Sequence, residues 1–186
     1  SLPFQTKWIE FGIQSMHDET LKRIRRGHSV QCSVDAITRS RKYNLNVCVH
    51  LMAGIPGETK ENFLDTVREV CKLPVQGIKL HGLYVCKNTQ LAKDYRANAY
   101  TPMEQEDYIR LICDALCIIP SNIAIHRLTA DCHDEELIAP EWAKLKGHIV
   151  RGIEGLLFHE GKWQGCKNDV PLENPYTALY KKLERL

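Results

Sequence analysis

Six polar residues interrupt stretches that are otherwise apolar: Glu10 in Lys7–Gly12, His50 in Leu45–Met52, Lys79 and His81 in Gly77–Val85, and His126 and Arg127 in Asn122–Leu128. An isolated buried charge is costly, so such residues line a polar cavity, pair with one another, or face outward on an edge strand. Their recurrence in all four stretches favours a lined cavity. Glu10, Lys79, His81 and Arg127 then become candidates to meet an anionic or polar substrate. A hydrogen-bonded network among Glu10, Lys79 and the histidines is the structural alternative. Lys79 in a cavity is also the amine that a barrel aldolase or hydrolase would use as a Schiff-base nucleophile.

The other chemistry-bearing groups carry less. Asp131-Cys132-His133-Asp134 offers metal-binding atoms, but adjacent ligands on one loop rarely define a tetrahedral site unaided. The eight cysteines contain no CxxC and no CxxxCxxC, so no zinc ribbon or iron–sulfur loop is written here, and no metal is expected on this chain. Cys113 and Cys117 share one face of an expected helix, which helix packing explains. Several thiols fall inside apolar strand or helix patterns, where they behave as small hydrophobes, and the compartment reads as reducing and cytoplasmic. Lys22, Arg23, Arg25 and Arg26 form the one basic cluster, which suits the C-terminal end of a helix better than phosphate recognition.

Positioning these groups takes a chain of 186 residues, one domain's worth, with 44% hydrophobic and 26% charged residues and a net charge of +2. That balance gives no general attraction to nucleic acid or anionic lipid. No apolar run reaches the length of a membrane span, and no signal-peptide pattern opens the chain. Ser1-Leu2 ahead of the first strand reads as a cloning remnant on a piece cut from a longer protein.

Strand-like and helix-like periodicities alternate. Strands are expected at Lys7–Gly12, Leu45–Met52, Gly77–Val85 and Asn122–Leu128, apolar on both faces. Helices are expected from Asp18 to near Gly27, from Val30 to Tyr43, from Thr59 to about Leu73, and from Gln90 to Arg96. Thr101-Pro102-Met103-Glu104 reads as a capping box opening a helix to about Cys117. Helices from Pro140 to Phe158 and from Pro175 to Leu186 follow a polar loop. Strands separated by helices imply an α/β fold with a parallel sheet, either open or part of a barrel, and the polar strand residues favour the barrel.

Two segments carry a resemblance: Gly12-Ile13-Gln14-Ser15 with His17-Asp18, Leu21, Ile24, Arg26, Gly27 and His28, and His50 through Thr59, which contains Gly54-Ile55-Pro56-Gly57. With Gly77–His81, Leu91-Ala92, His126–Thr129, Ala139-Pro140 and Trp142 in order, the chain resembles the second half of a radical S-adenosylmethionine (radical SAM) enzyme. The match is closest to YhcC-like iron–sulfur oxidoreductases. The resemblance implies a partial (β/α)6 TIM-like barrel, of which residues 1–130 are the C-terminal half and 131–186 a loop and helical extension. It also implies S-adenosylmethionine and a 4Fe-4S cluster as cofactors of the full-length protein. The cluster's CxxxCxxC loop would lie upstream, so this piece is expected to be inactive and to bind neither cofactor by itself.

By likeness to the oxygen-independent coproporphyrinogen oxidase type, Gln14 and Ser15 follow the fourth barrel strand, and Gln14 would meet the cofactor's ribose. Arg26 would help hold the cofactor. His50 stands where those enzymes carry an acidic residue, Gly54 and Pro56 belong to the supporting turn, and Tyr84 and Val85 would border adenine. The residue chemistry is compatible: Gln14 both donates and accepts towards vicinal hydroxyls, and Arg26 offers a cationic fork to a carboxylate. Half a barrel leaves open sheet edges, so self-association is expected. The substrate and electron donor are not legible, and a non-redox binding module is the rival reading from another class.

Overall fold

The computed structural model describes residues 7–130 and 135–168. A four-stranded parallel sheet in the order β1-β2-β3-β5 organises the chain. Its strands are β1 (Trp8–Gln14), β2 (Asn46–Ala53), β3 (Gly77–Gly82) and β5 (Ala124–Arg127). Helices α1 (Asp18–Arg23) and α2 (Val30–Lys42) connect β1 to β2, and α3 (Lys60–Cys71) connects β2 to β3. Helices α4 (Gln90–Arg96) and α5 (Gln105–Ile118) lie between β3 and β5. A short antiparallel pair, β4 (Val85–Cys86) with β6 (Leu137–Ala139), a 3-10 turn (Glu141–Lys144) and α6 (Lys146–His159) complete the described chain.

The sheet has two unlike faces. On one, Val47, Val49, Leu51, Ile78 and Leu80 are fully buried with Ile37 of α2, Phe63, Val67 and Val70 of α3, and Leu111 and Ile112 of α5. The period-2 alternation then turns Glu10, His50, Met52, Lys79 and His81 to the other face, where each keeps some exposure. The expectation of strands apolar on both faces is therefore corrected: the described helices cover one face, and polar side chains occupy the other.

Local signals set most helix starts. Ser29 accepts from the Cys32 amide to cap α2, and Thr59 and Asn62 form a reciprocal capping box on α3. The first helix opens after His17, and the Asp18 carboxylate accepts from the Val30 amide at 2.8 Å. Tertiary contacts override the signal at Thr101. Residues 101–104 are not helical and α5 begins at Gln105, because the Met103 carbonyl accepts from Trp142 Nε1 (3.0 Å) and the Tyr100 hydroxyl donates to the Gly54 carbonyl (2.9 Å). The third strand ends at Gly82 instead of Val85. The Leu83 amide still bonds the Ala53 carbonyl, after which the chain leaves the sheet to pair with β6. The helix expected over 140–158 is broken at Leu145, between the 3-10 turn and α6.

All seven described cysteines are free thiols, and burial pushes Cys48, Cys71 and Cys113 up to about 11. No helix among the described residues is long and apolar enough to cross a membrane. The 131–134 loop and the helix expected over 175–186 lie outside the described residues.

Candidate functional site

The C-terminal end of β1 holds an unusual residue. Gln14 adopts φ 64°, a left-handed conformation costing a non-glycine residue about 1 kcal/mol, and the pairing with β2 shifts register between Phe11 and Gln14. The missing side chain of Gly12 leaves room for two polar groups. A Cβ there would stand 2.6 Å from Gln14 Nε2 and 3.3 Å from Arg26 Nη2. Arg26 Nη2 donates to the Gly12 carbonyl at 2.6 Å, so a carboxamide and a guanidinium from separate segments meet over one glycine.

The glycine turn after β2 is tied to the same end of the sheet. Fully buried Ser15 donates to Glu58 Oε1 (2.5 Å) and accepts from the His17 amide (3.1 Å). His17 Nε2 donates to the Asn62 carbonyl (3.0 Å), and the Met16 amide donates to Thr66 Oγ1 (3.0 Å). Arg23 Nη1 donates to the Pro56 carbonyl (2.9 Å), its guanidinium filling the space a Gly57 side chain would take. Gly54 and Gly57 lie at φ 83° and 78°, conformations that glycine adopts without strain.

The basic cluster is thus divided. Lys22 pairs with Glu19 (2.7 Å), Arg23 braces the turn, Arg25 at φ 56° closes the helix, and Arg26 reaches Gly12. Arg23, Glu58 and Gly12 are the members that sequence reasoning did not single out. Two glycines in a turn, together with a cationic helix end, were the available signal.

A second assembly occupies the polar face. Glu10 Oε2 accepts from Lys79 Nζ (2.5 Å) and from His50 Nε2 (2.9 Å), and His50 stacks on His81 at 5.3 Å. Glu10, His50 and Lys79 thus pair with one another on a face that is partly open. Arg127 ends β5 beside Lys79 in the register. The Lys79 hydrogen bond, helped by His50 and opposed by burial, holds the Glu10 carboxyl below its usual 4.5.

A carboxylate with a lowered folded-state pKa stabilises the fold above its unfolded pKa and loses that contribution as pH falls through the folded value. Wild type should therefore lose more stability than Glu10→Gln between about pH 5 and pH 2, by under about 1 kcal/mol because the pair is partly exposed. Urea unfolding of both proteins across that range checks the sign.

Tyr84 and Val85 stand just past the end of β3. Tyr84 packs edge-on against Trp142 at 6.0 Å, and Val85 is buried with Ala92 and Ala139. Cavities open beside Gly12 and Arg26 and beside the glycine turn. Gly12, Arg26, His28 and Cys32 border a cavity of about 230 Å³. Gly54, Pro56, Phe63, Tyr100 and Met103 border another of about 430 Å³. The extended 101–103 segment closes over the turn and gives it a pocket of its own.

Comparison with known proteins bears on the chain's family. Residues 4–70 match the model of the Radical SAM superfamily, and residues 75–157 match that of the Radical_SAM C-terminal domain. Uncharacterized protein YtqA of Bacillus subtilis strain 168 is 36% identical over 158 residues, 85% of this chain and 49% of that protein. Protein YhcC of Escherichia coli K12 is 36% identical over 137 residues, 74% of this chain and 44% of its own. The tRNA uridine(34) acetyltransferase of Dehalococcoides mccartyi is 32% identical over 169 residues, 89% of this chain and 36% of that enzyme. The chain thus spans about half the length of YtqA and YhcC. In three dimensions it superposes on Elp3 of Methanocaldococcus infernus with a TM-score of 0.72 at 23% identity, over 85% of this chain and 37% of that one. With the two models matching in order across the strands that bear Gln14, the glycine turn and Lys79, the chain belongs to the radical SAM superfamily.

Proposed function

We propose that this chain is the second half of a radical SAM catalytic domain, whose intact protein binds S-adenosylmethionine at the C-terminal ends of the strands. The observation carrying this reading is the meeting of Gln14 and Arg26 over Gly12, next to a braced glycine turn. Parallel βα folds bind ligands at that end, where loops vary without disturbing the core. The donor set gathered at Gly12 fits the cofactor: the Gln14 carboxamide suits ribose hydroxyls, and Arg26 keeps donors beyond the one given to Gly12 for a carboxylate. The chain's cysteines do not fit the 4Fe-4S cluster, since no CxxxCxxC stands among its 186 residues. When bound, the cofactor supplies its reductive cleavage and the radical chemistry of the family, while Gln14, Arg26 and the glycine turn orient it. Glu10, Lys79, His81 and Arg127 form the wall towards the substrate.

Anaerobic reconstitution of the full-length protein with iron and sulfide, followed by dithionite and S-adenosylmethionine, tests this reading. Release of 5′-deoxyadenosine is expected, and a cluster-loaded protein that releases none overturns it. The 186-residue chain alone should release none and bind the cofactor weakly. Among the described residues β1 and β5 are the edge strands of the sheet, so the chain should also self-associate, which sedimentation velocity at rising concentration checks.

A second reading concerns the substrate. The D. mccartyi relative named for tRNA uridine(34) aligns with nearly the whole chain, which favours RNA as the intact protein's target. Salt-sensitive binding of tRNA by the full-length protein supports that choice, and equal affinity for a small-molecule library and none for RNA removes it. The aldolase alternative is disfavoured because Lys79 ends in an ion pair with Glu10 that an imine-forming amine would have to break.

A further inference from the structure

Beneath the Glu10–Lys79 pair lies a group of side chains that the cofactor reading does not use. One ligand atom each from Glu10, Cys48 and His126 lies within 4.8 Å of the other two. The three come from β1, β2 and β5, and β3 runs between the last two in the sheet. Gly77 lets His126 cross it. A Cβ on Gly77 would stand 2.6 Å from His126 Nε2 and 2.8 Å from Cδ2, so the imidazole occupies the space that any other residue would fill. In the ladder Glu10 pairs with Cys48, and Cys48 with Gly77, so the thiol sits between the carboxylate and the imidazole. Trp8 packs edge-on against His126 at 4.5 Å and limits its swing.

The donor set has a definite chemistry. Thiolate, imidazole and carboxylate together suit a divalent d10 cation in a tetrahedral field, with three protein ligands and one position left open. Around zinc such ligands stand about 3.3–3.8 Å apart, so the group needs to contract by no more than about 1.5 Å. The exposed Glu10 side chain can supply that movement over the fixed, fully buried Cys48. The carboxylate is already oriented, because Lys79 and His50 both hold Oε2 and Oε1 can turn to a cation. Binding would release the thiol proton to solvent, and the thiolate and carboxylate then balance the dication.

We propose that Glu10, Cys48 and His126, brought together across the side-chain-free Gly77, form a mononuclear zinc site on the polar face of the sheet. The site goes beyond the cofactor reading and stands or falls separately from it.

Cobalt(II) titration of the 186-residue chain, with a non-thiol reductant and monitored by absorption, is the test. A near-ultraviolet thiolate-to-cobalt band and intense visible bands of a four-coordinate ion are expected, both abolished by one equivalent of zinc. Cys48→Ala should remove the charge-transfer band. Glu10→Gln, His126→Asn and Gly77→Ala should each weaken binding by about tenfold or more. The double variant Cys132→Ser/His133→Ala should leave the band unchanged. Failure of the wild type to develop the band, its survival in Cys48→Ala, or its loss in the Cys132/His133 variant overturns the proposal. Should Cys48→Ala not fold by circular dichroism, zinc-edge absorption of the wild type decides. One sulfur at about 2.3 Å with nitrogen or oxygen neighbours at about 2.0–2.2 Å supports the site, and any other sulfur number refutes it.

Discussion

Replacing Tyr108 with alanine will lower the unfolding free energy by about 3–5 kcal/mol, the range expected when a buried aromatic ring is deleted. Tyr108 is fully buried, stacks on Trp142 at 5.1 Å, and donates its hydroxyl to the Leu128 carbonyl at 2.9 Å. Burial, with Tyr84 adding to it, pushes its phenol well above 10, so the hydroxyl stays a donor throughout the accessible pH range. Removing the ring opens a cavity beside Trp142 and strands the Leu128 carbonyl. Tyr108→Phe keeps the ring and loses only the hydrogen bond, which should cost about 1–2 kcal/mol. Urea denaturation of the two variants separates packing from hydrogen bonding. A cost below about 1 kcal/mol for the alanine variant would mean that Tyr108 does not clamp α5 to Trp142. Against a typical total of about 5–15 kcal/mol, the expected loss leaves a marginal fold. It should also loosen the glycine turn first, because Trp142 holds the Met103 carbonyl and Met103 lies against Gly54. Early amide exchange near residues 54–58 would report that.

The same contacts explain what could be read in the sequence and what could not. Periodicity located all four strands of the parallel sheet, because alternation in stretches such as Val47–Leu51 is a local property. Glu10, His50, Lys79 and His81 stood out as polar residues in apolar runs, and they do gather on one face. The helix start at Thr101 failed for a non-local reason: Trp142 and Gly54, distant in sequence, hold residues 100–103 extended. Strand β6 is three residues long and exists only as the partner of β4, so nothing local marks it. Cys48 reads as a small hydrophobe in a buried strand, and the service Gly77 gives to His126 depends on a neighbouring strand. Arg23 and Arg26 looked alike as members of one basic run, yet their partners, the Pro56 and Gly12 carbonyls, are known only once the chain has folded. Sequence patterns carried the periodic scaffold, whereas roles that arise between elements required coordinates.

If the intact protein cleaves S-adenosylmethionine as proposed, Gly12→Val will cut its 5′-deoxyadenosine release by about a hundredfold or more while leaving the fold almost untouched. Gly12 lies within β1 without a left-handed φ, so its backbone accepts a β-branched residue, and such residues favour strands. The new Cβ would fall 2.6 Å from Gln14 Nε2 and 3.3 Å from Arg26 Nη2, both ends of flexible side chains. Those two groups therefore yield, the carboxamide first, and the pair proposed to grip the cofactor comes apart without a core rearrangement. The unfolding free energy should change by less than about 1 kcal/mol, because a strand glycine already weakens its strand. Cofactor affinity should fall together with product release, since the lost contacts hold the ground state as well as the reacting one. A protein that unfolds instead would show that Gly12 serves packing. A stable variant releasing deoxyadenosine within about threefold of wild type would show that Gln14 and Arg26 do not touch the cofactor, for they are the groups nearest the new Cβ.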